Sequence, residues 1–472
     1  MAENFRLRID VEALHRNVTG SCILFTVHTP EGKKQFIIDF GLHQGEENAD
    51  VLNREEFKFK PEEIRFVILT HNHTDHNGRI PQLYKKGYAG KIHTTKDTAQ
   101  MLRLSLFDSE KVLRANADEY GLTYMYSKSD VNNALNNTIS HAFGETFEPV
   151  EGIKVTLYMN GHLIGACIVH LHIDFPGFDP IEIIVTGDYN KENKFFKVED
   201  MPEYVFDLPV NIITESTYGD VDSTKVAKPI FAQNVAEIIK EKKLILVPVF
   251  ALARGQEVLY ELKRMQERGE LSLDIPIYID GNLFKEYCNL YRYKLNITEE
   301  MRDFYPKNLN DMNSNQREAI VKSKSKKIIL TTSGMGNHGP AQEYIPMVVE
   351  RDDSCIHFVG YNTPGTVGRI LLEANYGDKV DLGSCIKTKK CLVKMTGEFS
   401  KHAKRNEFID FFNRFKNIRT LLLQHGEEEV KKSFAEYCGR KLENCKKIQI
   451  LGNGNKIALN SWGLVKVIDV KY

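Results

Sequence analysis

The residues best suited to chemistry in this sequence are concentrated in the stretch HNHTDH, residues 71–76. It holds His71, His73 and His76 together with Asp75, and imidazole and carboxylate are ligands that zinc prefers. His71 and His73 share one parity along the chain, so their side chains can converge on one point, while Asp75 and His76 can face a second point nearby. Three histidines and an aspartate within six residues are not typical of a polar turn. The stretch therefore predicts a metal centre.

The elements that position these residues are apolar runs that end in polar side chains. The run FVILT, residues 66–70, predicts a buried strand that ends at the metal-binding stretch. Further apolar runs predict strands that end at Asp39, Asp188, Glu215 and His425. A carboxylate at a strand end, such as that of Asp188, is suited to bridge two cations and offset part of their repulsion.

Two more histidines lie outside strands. His162 follows Gly161 in a turn, and His402 lies just before a predicted helix. By contrast, His170 and His172 lie on a predicted strand and are interpreted as structural.

Composition narrows the class of protein. With 472 residues the chain is long enough for two or three folding units, and 42% hydrophobic with 27% charged residues is typical of a globular protein. A net charge of −1 excludes a general attraction to nucleic acid, so phosphate must be bound by a local cleft or by metal ions. The eight cysteines form no CxxC pair, which favours reduced thiols. Neither a signal peptide nor a membrane span is evident, and we expect a cytoplasmic protein without a membrane partner.

The pattern along the chain also predicts its organisation. The turn PEGK, residues 30–33, is expected to close a hairpin, and residues 77–88 and 95–135 are expected to be helical. The Asn-rich stretch 131–140 is interpreted as a surface connection. From residue 208 to 394 strands alternate with helices, which predicts a parallel-sheet α/β module. The basic runs 322–327 and 387–390 are interpreted as solvated.

Seven motifs in one order carry a family resemblance: HNHTDH, GHLIGA, TGDYN, TEST, SGMGNHG, FSKHA and QHGE. They resemble the β-CASP family, the nuclease branch of the metallo-β-lactamase superfamily, from about residue 18 to about residue 430. The resemblance implies an α/β fold, in which a metallo-β-lactamase αββα sandwich formed by 1–207 and 395–472 receives an inserted β-CASP domain at 208–394. The chain looks most like the compact prokaryotic ribonucleases related to the pre-mRNA 3′-end cleavage endonuclease.

The same resemblance implies two Zn²⁺ ions per chain, each held by three side chains of its own and by one shared carboxylate. The implied ligands are His71, His73 and His162 for the first ion, Asp75, His76 and His425 for the second, and Asp188 as the shared carboxylate. Asp39 is expected to support a metal-bound histidine.

The implied activity is hydrolysis of single-stranded RNA. Glu215, His402 and His425 match motifs A, B and C of the family, and members that act on RNA carry a histidine in motif C. Hydroxide activated by two metals would attack phosphorus, while His402, held by Glu215, protonates the leaving sugar oxygen. The resemblance also implies catalytic roles for Asp75 and His425. Endonucleolytic cleavage with a 5′-phosphate and a 3′-hydroxyl as products is expected.

A Gly-rich loop and one arginine are the expected contacts to the RNA backbone. The loop comprises Ser333, Gly334, Met335 and Gly336, whose N–H groups can bind a phosphate. The side chain of Arg254 can also reach the RNA strand, and a solvated surface charge stays an alternative interpretation of this residue.

Three alternatives stay open beside an RNA endonuclease: a 5′-to-3′ exoribonuclease with the same site, a lactamase-fold hydrolase of small esters, and a catalytically silent RNA-binding scaffold. Either a monomer or a homodimer is compatible with the sequence.

Overall fold

The computed structural model describes residues 7–15, 18–45, 48–225, 230–452 and 454–469. Within them, strands β1 to β23 are, in chain order, Arg8–Ala13, Ile23–Thr29, Gly32–Ile38, Ile64–Ile68, Lys91–Thr95, Thr138–His141, Thr146–Val150, Ile153–Met159, Cys167–Ile173, Ile181–Val185, Pro209–Thr214, Leu244–Pro248, Ile277–Asp280, Leu309–Asp311, Lys327–Thr331, Ser354–Phe358, Lys379–Asp381, Ile386–Thr388, Leu392–Met395, Asn417–Leu423, Ile448–Ile450, Asn455–Asn460 and Gly463–Asp469. Helices α1 to α15 are, in chain order, Ala49–Arg54, Thr74–Asn77, Ile80–Lys85, Lys96–Tyr120, Lys128–Asn136, Glu203–Asp207, Phe231–Glu241, Arg254–Glu267, Asn282–Tyr293, Glu299–Arg302, Arg317–Lys322, Ala341–Val348, Val367–Glu373, Arg405–Phe412 and Glu428–Lys441. None of the helices within these ranges is both long and apolar enough to span a membrane.

The chain forms two compact units. Unit 1 comprises Met1–Gln44, Asn48–Val226 and Lys401–Tyr472, and unit 2 comprises Gly45–Glu47 and Ala227–Ser400. The expected inserted segment, 208–394, overlaps unit 2 from residue 227 onward, whereas β11 pairs with β20 in a sheet of unit 1.

Unit 1 is a four-layer sandwich built on two sheets. Their strand orders are β23-β22-β1-β2-β3-β4-β5-β6 and β21-β20-β11-β10-β9-β8-β7. A shared core of fully buried side chains joins their inner faces, and within it the rings of Phe25, Phe36 and Phe66 stack across three neighbouring strands at centroid distances of 4.8 and 4.6 Å. Helices α3 to α5 pack against the outer face of the first sheet, and α6, α14 and α15 against that of the second. The predicted αββα sandwich is confirmed.

Local signals explain the elements before the second sheet. The hairpin around residues 30–33 is confirmed, since β2 and β3 pair from Thr29 with Gly32 outward. The predicted helix at 77–88 is shorter and spans 80–85. The interpretation of 131–140 as a surface connection is wrong. A capping box formed by Ser127 and Asp130 begins α5, which buries Val131 and Ala134 at helical spacing, so the asparagines only occupy its outer side.

Unit 2 contains a six-stranded parallel sheet with the order β14-β13-β15-β12-β16-β19. The predicted parallel-sheet module is confirmed. The amphipathic helix α8 follows β12, and its residues Val258, Leu259, Leu262 and Met265 are fully buried, as their spacing predicts.

The candidate metal centre lies in unit 1, where several parallel strands end side by side. Strand β3 is parallel to β4, and β10, β11 and β20 are parallel to one another. The carboxyl ends of these two groups of strands lead into Asp39, His71, Asp188, Glu215 and His425.

Candidate metal centre

Four side-chain atoms form the first set of potential metal donors. His73 Nδ1 lies 3.1 Å from both His71 Nε2 and His162 Nε2, and each Nε2 lies 3.6 Å from Asp188 Oδ2. Tetrahedral zinc with bonds of 2.0–2.1 Å to nitrogen requires donor atoms about 3.3 Å apart. The set therefore fits a zinc ion without rearrangement.

A second set shares the carboxylate of Asp188. Its Oδ1 lies 3.4 Å from His76 Nε2 and 3.5 Å from His425 Nδ1, and Asp75 Oδ2 lies 3.9 Å from Nε2 of both histidines. Asp75 and His76 belong to the one-turn helix α2, which begins directly after His73. The structure thus brings together all seven expected ligands, in two groups that meet at Asp188.

Several buried donor atoms in this cluster have no hydrogen-bond partner within the described chain. They are His76 Nε2, His425 Nε2 and Asp188 Oδ1. A buried polar atom without a partner costs about 1–3 kcal/mol. A cation bound between these atoms would remove that cost. The unpaired atoms therefore favour metal binding at this site.

Hydrogen bonds fix which ring nitrogen carries the lone pair. Thr70 Oγ1 donates to Asp39 Oδ2 at 2.8 Å, so it accepts from His71 Nδ1 at 3.0 Å and leaves the lone pair of His71 on Nε2. His162 Nδ1 donates in the same way to the carbonyl oxygen of Lys401 at 3.1 Å. Ligand histidines in metalloproteins are typically oriented by such bonds.

Asp39 holds the segment of residues 71–76, here called the metal turn, through hydrogen bonds with Thr70 and His76. It accepts hydrogen bonds from Thr70 N at 2.8 Å and from His76 Nδ1 at 2.7 Å. The expected support of a histidine by Asp39 therefore falls on His76. Asp39 and His425 have φ angles of +59° and +49°, which side chains other than glycine seldom adopt. Such backbone conformations cluster at functional sites, where the surrounding structure enforces them.

The backbone of the metal turn is held by a segment that sequence reasoning did not identify. Phe40 N donates to His76 O, Leu42 N to Thr74 O and Ser21 N to Asp75 O, at 2.8–3.0 Å. A Cβ atom on Gly41 would lie 1.6 Å from the carbonyl oxygen of Asp75. Glycine at position 41 thus permits the close approach, and the sequence offered only a glycine after a strand end as a signal.

Asn160 is a second residue that the sequence did not reveal. Its amide donates to the carbonyl oxygens of Thr186 and Asp188 at 2.8 and 2.6 Å, and its Oδ1 accepts from His162 N at 2.9 Å. The fully buried side chain thereby couples the turn of His162 to that of Asp188.

His402 and Glu215 form a pair beside the cluster. His402 Nδ1 donates to Glu215 Oε2 at 2.8 Å, and Glu215 Oε1 also accepts from Tyr189 N at 2.6 Å. The other nitrogen, His402 Nε2, lies 4.0 Å from Asp188 Oδ2. His402 can therefore hold a proton on Nε2 toward any group bound at the cluster.

Electrostatics favour the protonation states that metal binding needs. Burial lowers the pKa of His71 and of His162 well below its usual range, and burial lowers the pKa of His73 to about 4. These rings are neutral and offer lone pairs. Burial opposes ionisation of Asp188, but the nearby His425 and His76 outweigh it and hold the pKa of that carboxyl well below its usual range.

Two histidines behave differently. Burial disfavours a charged His76, yet Asp188 and Asp39 outweigh burial and raise its pKa well above the usual value. A proton therefore competes with a cation for this ring. Burial is likewise outweighed at His402, where Glu215 and then Asp188 raise the pKa, as suits a proton donor.

The expected phosphate-binding residues lie in unit 2. Ser333 N donates to His338 O and Gly336 N donates to Ser333 O, at 3.0 and 3.1 Å. The expected binding of phosphate thus depends on the N–H groups of Gly334 and Met335. Arg254 begins α8, and its guanidinium lies over the ring of Phe250 at 5.2 Å.

Comparison with family models identifies the fold family. The model described as metallo-beta-lactamase superfamily matches residues 16–174, and the Beta-Casp domain matches residues 255–371. A third model, the Zn-dependent metallo-hydrolase RNA specificity domain, matches residues 388–450. The chain belongs to the β-CASP family of the metallo-β-lactamase superfamily. The resemblance found in the motifs is confirmed, and membership supports a metal-dependent hydrolase.

The curated relatives that this β-CASP protein matches include archaeal proteins. The chain is 29% identical to transcription termination factor FttA of Methanococcus maripaludis over 87% of its own length and 66% of the relative. It is 28% identical to the factors of the same name from Methanosarcina mazei and Methanocaldococcus jannaschii, over 91% and 92% of its length and 68% and 69% of theirs. The chain thus spans about two thirds of the length of these relatives.

Proposed function

We propose that this β-CASP protein is a zinc-dependent ribonuclease that cleaves single-stranded RNA internally. The observation that carries the proposal is the cluster of seven donor residues, Asp188 among them, with buried atoms that lack hydrogen bonds, next to the pair of His402 and Glu215. Two Zn²⁺ ions per chain fit this arrangement. His71, His73 and His162 would hold one ion, Asp75, His76 and His425 would hold the other, and Asp188 would contact both.

The chemistry that zinc supplies when bound is that of a Lewis acid, which offsets charge on a phosphodiester and promotes ionisation of water. The protein's own residues orient the ligands. Thr70 and Lys401 fix the tautomers of His71 and His162, and Asp39 fixes that of His76. The buried position of the cluster also limits access of bulk water.

His402 moves the proton that the leaving group needs. As hydroxide adds to phosphorus, the bond between phosphorus and the 3′ oxygen breaks, and its electron pair stays on that oxygen. His402 Nε2 donates its proton there, while Glu215 stabilises the positive ring through Nδ1 before transfer. The products are a 5′-phosphate and a 3′-hydroxyl.

RNA as the substrate is supported by the region around motifs B and C. Residues 388–450, which include His402 and His425, match a model described as an RNA specificity domain. The name of the curated relatives, transcription termination factor, also concerns RNA synthesis. A small ester would not need a second unit with its own parallel sheet.

The test compares a circular single-stranded RNA with its linear 5′-phosphorylated counterpart, each incubated with the zinc-loaded protein. Cleavage of both is expected, because an internal cut needs no end. His402→Ala serves as the control for a contaminating nuclease. Degradation of the linear RNA alone would replace the proposal with an end-dependent exoribonuclease. Survival of both RNAs with zinc bound would overturn the assignment of RNA as the substrate.

A further inference from the structure

An aromatic ring and an ammonium group lie beside His402. The ring of Tyr218 lies 5.8 Å from that of His402 at an interplanar angle of 74°, so the two rings do not stack on each other. Lys404 Nζ lies 5.7 Å from the centre of the Tyr218 ring and donates to the carbonyl oxygen of His402 at 3.0 Å. Both side chains are half-buried, unlike the fully buried Glu215.

The turn that carries Tyr218 is tied to the metal cluster. Ser216 N donates to His425 O at 3.1 Å, and Ser216 Oγ donates to Gln424 O at 2.6 Å. Gly219 packs so closely on Phe434 that a Cβ atom there would lie 2.6 Å from the Phe434 side chain. The position of Tyr218 is therefore fixed by the same backbone that presents His425.

A second set of bonds holds the turn against the start of α14. Arg405 N donates to Val221 O at 3.0 Å, and its guanidinium donates to Asp222 Oδ2 at 3.2 Å. Lys404 precedes Arg405, so the same contacts keep Lys404 beside Tyr218. The metal cluster and the pair of His402 and Glu215 do not require a tyrosine or a lysine here.

We propose that Tyr218 and Lys404 form a subsite for the nucleotide immediately 5′ to the scissile phosphate, the one that leaves with the 3′-hydroxyl. The inference rests on the proposed ribonuclease activity. The sugar that receives the proton lies against His402, which brings its base within reach of the Tyr218 ring. Nucleobases of any sequence stack on such rings. The Lys404 ammonium has three donors, and one of them contacts His402 O, so it can also bind a backbone phosphate.

The first test needs no variant. The bond that the zinc-loaded protein cuts in a defined 20-nucleotide single-stranded RNA is mapped, and a single abasic nucleotide is then placed directly 5′ or directly 3′ of that bond. Stacking contributes about 1–3 kcal/mol per base. We therefore expect a roughly 5- to 150-fold lower kcat/KM for the 5′ abasic RNA and a smaller loss for the 3′ abasic RNA. Equal losses at both positions would overturn the subsite.

Substitutions then assign the effect to Tyr218. Tyr218→Ala should lose kcat/KM on intact RNA by the same factor and should be insensitive to the 5′ abasic position, because the base has no ring to stack on. Tyr218→Phe should keep the wild-type values. An abasic effect of unchanged size in Tyr218→Ala would refute the role of this ring, whereas a wild type that cuts no RNA would refute the proposed function instead.

Salt dependence tests Lys404. Lys404→Met should raise KM for the intact RNA. It should also reduce the slope of log KM against log salt concentration by about 1, as expected for the loss of one phosphate contact. The control is Lys416→Met, whose lysine in the same unit is 72% exposed and pairs with Asp207. A slope equal to that of the wild type in Lys404→Met would exclude a phosphate contact by this residue.

Discussion

Two clusters of histidine and carboxylate lie in unit 1, one on strands of the second sheet and one where strands of both sheets end, and they differ in how their ring nitrogens are used. On β9 and β10, Glu182 accepts from His170 Nε2 at 2.8 Å and from His172 Nδ1 at 2.7 Å. Each carboxylate oxygen there has a histidine partner. At the ends of β10 and β20, by contrast, Asp188 Oδ1 and His425 Nε2 are buried without hydrogen bonds in the described chain.

The difference shows that residue types alone do not define a metal site. Both clusters combine carboxylate with imidazole, the donors that zinc prefers. In the Glu182 cluster, hydrogen bonds already satisfy the carboxylate, so a cation would have to displace them. In the Asp188 cluster, a cation held by His76 Nε2, His425 Nε2 and Asp188 Oδ1 would displace no hydrogen bond that these atoms make within the described residues. The following variants break or sharpen this comparison, beginning with the largest effect.

Removal of the shared carboxylate should abolish activity. Asp188→Ala deletes the group that contacts both donor sets, so we expect a loss of kcat/KM on single-stranded RNA larger than the roughly 100-fold loss typical of residues that only orient ligands. Initial rates with the zinc-loaded protein measure it. The matched control is Glu182→Ala, which deletes the corresponding carboxylate of the other cluster. Similar activity in the two variants would contradict the comparison.

Loss of the proton donor should spare metal binding. His402→Ala is expected to lower kcat by about 10²- to 10⁴-fold, the usual contribution of general acid catalysis. Zinc content should stay at the wild-type level, since His402 is proposed to act on the leaving oxygen rather than to hold zinc. Metal analysis and single-turnover rates separate the two effects. Loss of zinc from this variant would move His402 into the ligand set.

A substitution that crowds the metal turn should weaken zinc binding even though the substituted residue is not a ligand. Gly41→Ala places a methyl group against the carbonyl of Asp75 and should displace the turn, with about 10- to 100-fold weaker zinc affinity. Competition with a zinc chelator measures this affinity. Gly452→Ala is the control, because a Cβ at that position meets no atom within 4 Å. Unchanged affinity in Gly41→Ala would show that the turn tolerates the shift.

The smallest functional effect is expected in the satisfied cluster. Glu182→Gln should leave zinc content and activity unchanged but lower the free energy of unfolding by about 1–3 kcal/mol. The pKa of Glu182 is lowered from 4.5 to about 2, because the bonds from His170 and His172 outweigh burial, and the pKa of His172 is raised above 6.5, chiefly by its bond to Glu182.

These shifts define the pH window of that stability difference. The lowered pKa of Glu182 contributes stability above pH 4.5 that is lost as the pH falls through about 2. The raised pKa of His172 contributes stability below pH 6.5 that is lost as the pH rises through its folded value. Denaturant unfolding should therefore show the largest difference between pH 4.5 and 6.5. A difference that grows above pH 8 would contradict this assignment.

Much of the candidate site could be predicted from the sequence because its ligands belong to short motifs at strand ends. Four of the seven expected ligands lie in residues 71–76, and the apolar runs before Asp188 and His425 mark where strands stop. The parallel sheet of unit 2 was predictable for a different reason. Short apolar runs typical of buried strands alternate there with segments whose apolar residues recur at helical spacing.

The residues that sequence reasoning missed act through tertiary contacts. Gly41 and Asn160 contact the ligand-bearing turns from other segments of the chain, and nothing local distinguishes them from ordinary turn residues. The basic run 322–327 was interpreted as solvated, yet Lys327 is buried because its ammonium donates to Ser323 O at 2.7 Å. Burial of an ammonium depends on a partner that the pattern of charges does not show.

The most direct test of the central claim is the zinc content of the purified protein, measured by mass spectrometry of metals in wild type, Glu182→Ala and Asp188→Ala after equilibration with zinc and removal of excess metal. The account predicts two zinc ions per chain in the wild type and in Glu182→Ala, and a loss of zinc in Asp188→Ala. A wild type without bound zinc, or an Asp188→Ala variant that keeps both ions, would contradict it.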